Sequence, residues 1–207
     1  MNFHICWIIS ALVIVSLAAL AGKITRDAWT GILVDERGRF SLNHLQIVMW
    51  TVLVLSSVMA VFLARLFAGE SSLLAFAIPQ ELLILMGISV GSAVVASAAK
   101  GAKDAPGSGA RVARLGTQFR LAGGETRTIS AHFGQVFQVE EGDRADEVVD
   151  ITKFQNFIFT LLTGGAFVVL TWKQATLGGL PPLSKEILWL LGISHAGYIG
   201  GKLPNKS

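Results

Sequence analysis

His44-Leu-Gln-Ile-Val-Met-Trp-Thr-Val-Leu-Val-Leu-Ser-Ser-Val-Met-Ala-Val-Phe-Leu-Ala64 runs for twenty-one residues, and His44 is the one side chain in it able to carry a charge. A helix rises about 1.5 Å per residue, so this stretch matches the roughly 30 Å hydrocarbon core of a bilayer. Four further apolar runs flank it, at residues 5–21, 82–99, 154–172 and 187–201. The last is the shortest and reads best as a helix that begins near Ser184. Of the 207 residues 52% are hydrophobic and only 15% charged, whereas an ordinary soluble domain carries about 25% charge. Five such runs leave too little polar surface to cover them, which argues against a soluble bundle. The sequence predicts an all-α membrane protein with five transmembrane helices.

Charge sets the orientation. Met1-Asn-Phe-His4 has no Lys or Arg, while Lys23 and Arg26 follow the first run. That order favours a retained anchor with its N-terminus outside, although Leu17-Ala-Ala-Leu-Ala-Gly22 has the small residues of a signal-cleavage region. In a five-span arrangement, Lys and Arg of the segments 23–43 and 100–153 and of the C-terminal tail share one side. Only Arg65, Lys173 and Lys185 fall on the other. This positive-inside bias puts the C-terminus in the cytoplasm. The single Cys6 lies within the first run, so the chain cannot form an internal disulfide.

The most specific feature is an internal repeat. Ser41-Leu-Asn-His-Leu-Gln-Ile-Val-Met-Trp-Thr51 aligns with Asp150-Ile-Thr-Lys-Phe-Gln-Asn-Phe-Ile-Phe-Thr160. Further on, Glu81-Leu-Leu-Ile-Leu-Met-Gly-Ile-Ser89 aligns with Glu186-Ile-Leu-Trp-Leu-Leu-Gly-Ile-Ser194. Each copy holds two spans, so both have the same orientation and form a tandem parallel repeat rather than an inverted one. The resulting organisation is an N-terminal signal-anchor span (1–22), a cytoplasmic linker or small hairpin (23–43), a first two-helix repeat (44–99), a cytoplasmic linker with an amphipathic segment (100–150) and a second two-helix repeat (151–207).

Several polar and small residues stand out within the spans. Ser41 and either Asp150 or Thr152 suit helix N-caps. Gln46 and Gln155 sit about a turn deeper, where an amide facing lipid is costly, so both are expected to face another helix. Gly87-x-x-x-Gly91 corresponds to Gly192-x-x-x-Ala196, continued by Gly200. Small residues four apart let helices approach closely, either inside the hairpin or between chains. Glu81 and Glu186 open their helices on the outer side, where a carboxylate suits the helix dipole or the mouth of a pore. His195, near the middle of the last span, is a neutral structural histidine or a functional one.

Between the repeats, residues 101–109 read as a flexible linker and Arg111, Arg114 and Arg120 as a basic stretch facing anionic lipid headgroups. The cluster is too sparse for nucleic acid. Apolar residues at Phe133, Val136 and Phe137 predict a short helix lying on the membrane or against the bundle. Residues 140–147 read as an acidic, solvated turn, and their spacing does not match a calcium loop.

The doubled pattern, with Gly197-Tyr-Ile-Gly-Gly-Lys202, resembles uncharacterised bacterial multi-pass inner-membrane proteins over roughly residues 30–205. The resemblance implies an architecture and an inner-membrane location, and no activity. His4, His44, His132 and His195 are never four apart, and no nucleophile, metalloprotease or phosphate-loop motif is present. The expectation is a non-enzymatic protein without cofactor or metal. It would work as a homo-oligomer or as a membrane platform for an unidentified partner, the alternatives being a homo-oligomeric pore or an accessory subunit of a membrane enzyme or transporter.

Overall fold

A computed structural model of the protein describes residues 2–202 apart from 107, 109–111, 121–123 and 143. Its helices are α1 (Phe3–Arg26), α2 (Leu42–Trp50), α3 (Ser56–Ala68), α4 (Gln80–Asp104), α5 (Ile151–Gln174) and α6 (Lys185–Gly200). α2 runs into α3 through a single π-helical stretch, Thr51–Leu55, so that Leu42–Ala68 is one long helix. This helix, α1, α4 and α5 have the length and apolar composition to cross a membrane. α6, with sixteen residues, is shorter.

α2 packs on α4 and α5, and α6 packs on the same two helices, so the four form a closed ring. α1 lies outside it against α3, held by Phe3, Cys6, Trp7 and Ser10 along one buried stripe. The Trp7 indole donates to Ser56 Oγ at 2.9 Å. A wider residue per turn in the π stretch re-aims the helix partway along. Trp50 faces the core before the stretch, Val54 within it, and Ser57, Val61 and Ala64 after it.

The helix ends lie in two layers. In one layer the α3–α4 and α5–α6 connections meet: Ala77 N–H donates to Gly178 O at 2.9 Å, and Leu180 N–H to Ala77 O at 3.1 Å. Arg65 donates to Leu177 O at 2.6 Å, and His4 stacks on Trp172. The half of the bundle beneath is apolar, built on Trp50, Val54, Val61, Leu82, Leu85, Phe167, Leu188 and Leu191.

The opposite layer is made by the loops. Val34 pairs with Phe40 around a turn closed by Asp35 N–H to Arg39 O at 2.8 Å. Gly38 occupies the left-handed region there (φ +75) at no steric cost. Beyond α4, β1 (Gln118–Arg120) and β2 (Thr126–Thr128) form a small antiparallel pair. The amphipathic helix expected near residue 133 is instead one 3-10 turn, Phe133–Val136. It stops there because the following backbone is used elsewhere: Val139 N–H donates to Val148 O at 3.0 Å, and Asp150 N–H to Phe137 O at 2.7 Å. This pairing carries Glu140 back over the helix ends.

Candidate functional site: a buried charge cluster beneath a polar bundle interior

Glu140 is 5% exposed and collects cations from four parts of the chain. Its Oε1 lies 2.6 Å from Lys153 Nζ and 2.9 Å from Lys202 Nζ. Its Oε2 lies 3.0 Å from Lys100 Nζ and 3.5 Å from Arg37 Nη1. These groups come from the turn before α2, the last turns of α4, the first turn of α5 and the residues just past α6. A second ring of carboxylates supports them. Asp35 reaches Lys100 at 2.6 Å, and Arg37 reaches Asp104 at 3.0 Å and Glu141 at 3.1 Å. Nearby, Arg39 and Asp146 form a buried ion pair at 3.0 Å.

Burial alone would push the Glu140 carboxyl up, but the charges of Lys153, Lys100 and Lys202 outweigh it and hold the group well below the usual carboxylate range. Burial lowers Arg37, yet its bonds to Asp104 and Glu141 and the charge of Glu140 leave it above its ordinary value. Lys202 differs. Burial, with Lys153 and Lys100 close by, outweighs Glu140 and lowers its amine to about 8. A carboxylate saturated in this way has no free lone pair for base catalysis. What the arrangement does is fasten the loop layer to three helix ends.

Toward the bundle centre the interior stays polar for about two turns. The Lys202 amine lies over the Tyr198 ring, 5.6 Å from its centroid. Gln46 Nε2 donates across the ring of helices to Thr160 Oγ1 at 2.7 Å and Asn156 Oδ1 at 3.2 Å. Thr160 in turn donates to the Asn156 carbonyl. Ser92 Oγ donates to Ser89 O at 3.0 Å and lies 2.7 Å from His195 Nδ1. Gln46 Oε1, Asn156 Nδ2, Trp50 Nε1 and His195 Nε2 are buried without a partner among the described residues.

The residues singled out by sequence are not gathered into one place. Gln46 and His195 lie in the polar interior, whereas Gln155 is exposed on the outside of α5 and Asn156 takes the inward position. Gly87 and Gly91 are exposed on α4, and a Cβ at either would meet nothing within 4 Å. Their small face is therefore not packed inside the hairpin. At Gly192 a Cβ would meet Ile88 at 3.8 Å, while Ala196 and Gly200 are exposed. Glu81 is half-buried and Glu186 exposed, both in the layer far from Glu140. Arg114 is exposed and pairs with Asp104 at 3.2 Å. Arg111 lies outside the described residues, as does the side chain of Arg120, whose backbone belongs to β1. Among the N-cap candidates, Asp150 accepts from the N–H groups of Thr152 and Lys153, and Ser41 makes no side-chain cap bond.

The acidic segment is the main correction. Glu140 and Asp146 are buried rather than solvated, because the lysines and arginines at the helix ends repay their desolvation. One sequence signal pointed there. Lys153 shares a helix face with Asn156 and Thr160, and a lysine on an inward stripe requires a carboxylate. Among the described residues, no three His, Cys, Asp or Glu side chains are grouped to hold a metal ion.

Helices of this length and polarity, with apolar faces turned outward, define a membrane-embedded α-helical protein. The chain matches no protein-family model, and no curated protein or solved structure matches it.

Proposed function

We propose that the protein is a non-enzymatic, five-span inner-membrane protein that assembles with copies of itself and so forms a membrane platform. The observation carrying this reading is the open small face of α4. Gly87 and Gly91 expose a glycine-lined surface that no helix of the same chain occupies, and such surfaces drive helix association in lipid. Two features support α6 as the fifth span. Its sixteen residues reach about 24 Å, and Lys202 just beyond its end reaches Glu140. Arg37, Lys100, Lys103, Lys153 and Lys202 gather in one layer and Arg65, Lys173 and Lys185 belong to the other, which favours the first as the cytoplasmic side.

The test is the mass of the intact protein in native lipid discs. A discrete oligomer that Gly87→Leu and Gly91→Leu convert to monomer, with helicity unchanged, supports the reading. A wild-type monomer, or an oligomer indifferent to both substitutions, overturns it.

A further inference from the structure

Between α4 and α6, on the outside of the bundle, lies a groove of about 590 Å³. It starts at the first turns of both helices and follows α6 to Ala196, a length of about 16 Å. Gly192 and Ala196 line it without filling it, and Ile88 and Trp189 stand in its walls. Its volume lies in the range of small-molecule sites, roughly 300–1,000 Å³. At its mouth, in the layer away from the charge cluster, stand one carboxylate and one ammonium: Glu81 on α4 and Lys185 on α6. Neither makes an ion pair or a side-chain hydrogen bond with any described residue. Trp189 is 72% exposed one turn below Lys185, the depth at which tryptophan marks a headgroup boundary.

We propose that this groove is a specific binding site for one phospholipid with a zwitterionic, primary-amine headgroup, of the phosphatidylethanolamine class. The argument is charge complementarity. The headgroup phosphate suits Lys185, and its ammonium offers N–H donors to Glu81, while one acyl chain lies along Gly192 and Ala196. A net-anionic headgroup would satisfy Lys185 and be repelled by Glu81. A quaternary amine has no N–H for the carboxylate. The proposal does not rest on self-assembly, because Gly87 and Gly91 do not line this groove.

The experiment is native mass spectrometry of the delipidated full-length protein titrated with ethanolamine, choline and glycerol phospholipids of identical acyl chains. One ethanolamine lipid per chain is expected, retained at least tenfold more strongly than either competitor. Glu81→Gln and Lys185→Gln are each expected to abolish that preference. Gly192→Leu, which fills the groove, is expected to remove binding itself, and Gly87→Leu to leave it intact. Equal retention of the three lipids overturns the proposal, as does retention unchanged in Gly192→Leu. So does a wild-type dimer that excludes lipid and that Gly192→Leu dissociates, since a second copy would then occupy the groove. Because Glu81 and Lys185 lie at the surface of the bundle, loss of fold does not complicate the two charge variants. Selective binding by a protein that is monomeric in lipid discs would uphold this site while overturning the assembly reading.

Discussion

Replacing Glu140 with glutamine keeps the shape of the side chain and removes its charge, so the outcome turns on what each cation has left. Lys100 keeps Asp35 at 2.6 Å, and Arg37 keeps Asp104 and Glu141. Among the described residues Lys153 keeps the carbonyl of Gln138, at 2.8 Å, and the more distant charge of Asp150, and Lys202 has no other acid within 4.0 Å. Stranding one buried charge costs about 3–5 kcal/mol, which is the term for Lys153. Lys202 has an easier exit. Its amine is lowered to about 8 even with the Glu140 charge beside it, so without that carboxylate it falls further and sheds its proton near pH 7 at little cost. Glu140→Gln is therefore expected to lose about 3–5 kcal/mol, rather than the sum of all its ion pairs.

Reversible unfolding by SDS in mixed micelles, followed through the five tryptophans, measures the loss. Adding Lys153→Met should restore most of it, because the stranded charge is then gone. The reasoning also fixes a pH dependence. The folded Glu140 titrates well below its ordinary value of 4.5, so its stabilisation is complete above that value. It is lost as pH falls from there toward the folded value, and Glu140→Gln should lack this acid limb. A loss under about 1 kcal/mol, or a double variant no more stable than Glu140→Gln, would refute the assignment of Glu140 as the clamp.

Other expectations follow from the same geometry. Lys202 has a folded value of about 8 against an ordinary 10.5, so its charge is a penalty below pH 8 that is relieved as pH rises toward 10.5. Wild-type stability should therefore climb across that window in the same SDS assay, and Lys202→Met should flatten the climb. Gln46→Leu forfeits two cross-helix bonds and should cost about 1–2 kcal/mol, whereas Gln155→Leu should stay within about 0.5 kcal/mol of wild type. Equal costs would contradict the opposite facing of the two glutamines. Gly22→Ala places a Cβ 2.8 Å from Ile32 N and 2.9 Å from Gly31 N, and backbone cannot yield as a side chain does. A loss of about 1–3 kcal/mol is expected, with faster tryptic cleavage at Arg26, whose guanidinium holds the loop through Asp35 O at 2.8 Å.

The apolar runs were legible because length and hydropathy suffice to find a helix that must satisfy its own backbone in lipid. The end of α4 was not. The run 82–99 stops at the first lysine, yet the helix continues through Lys100 and Lys103 to Asp104, because Glu140, Asp35 and Glu141 neutralise those lysines from more than thirty residues away in sequence. Hydropathy cannot detect a partner that distant. The same non-local pairing made residues 140–147 read as solvated, since acidic residues next to a glycine look like a turn unless their cations are known. Gln46 could be read as an inward-facing amide, but not that its acceptors would be Asn156 and Thr160 rather than Gln155.

That last difference has a regular form. In sequence, Gln46 matches Gln155 and Glu81 matches Glu186, at offsets of 109 and 105. In burial, Asn43, Gln46 and Trp50 on α2 correspond to Lys153, Asn156 and Thr160 on α5, one residue further along. On the other pair, Leu82, Leu85, Ser89 and Ser92 correspond to Leu188, Leu191, His195 and Tyr198, again one residue further along. One residue is about 100° of helix rotation. α5 and α6 are thus both turned by the same amount against the sequence match. The turn carries Gln155 outward and brings Lys153, His195 and Tyr198 inward. It also separates the two small-residue motifs: Gly87 and Gly91 stay open on α4, while Gly192 and Ala196 line the groove between α4 and α6. Segments that align in sequence therefore present different surfaces: the open face proposed for assembly lies on α4, and the groove proposed for a lipid lies between α4 and α6.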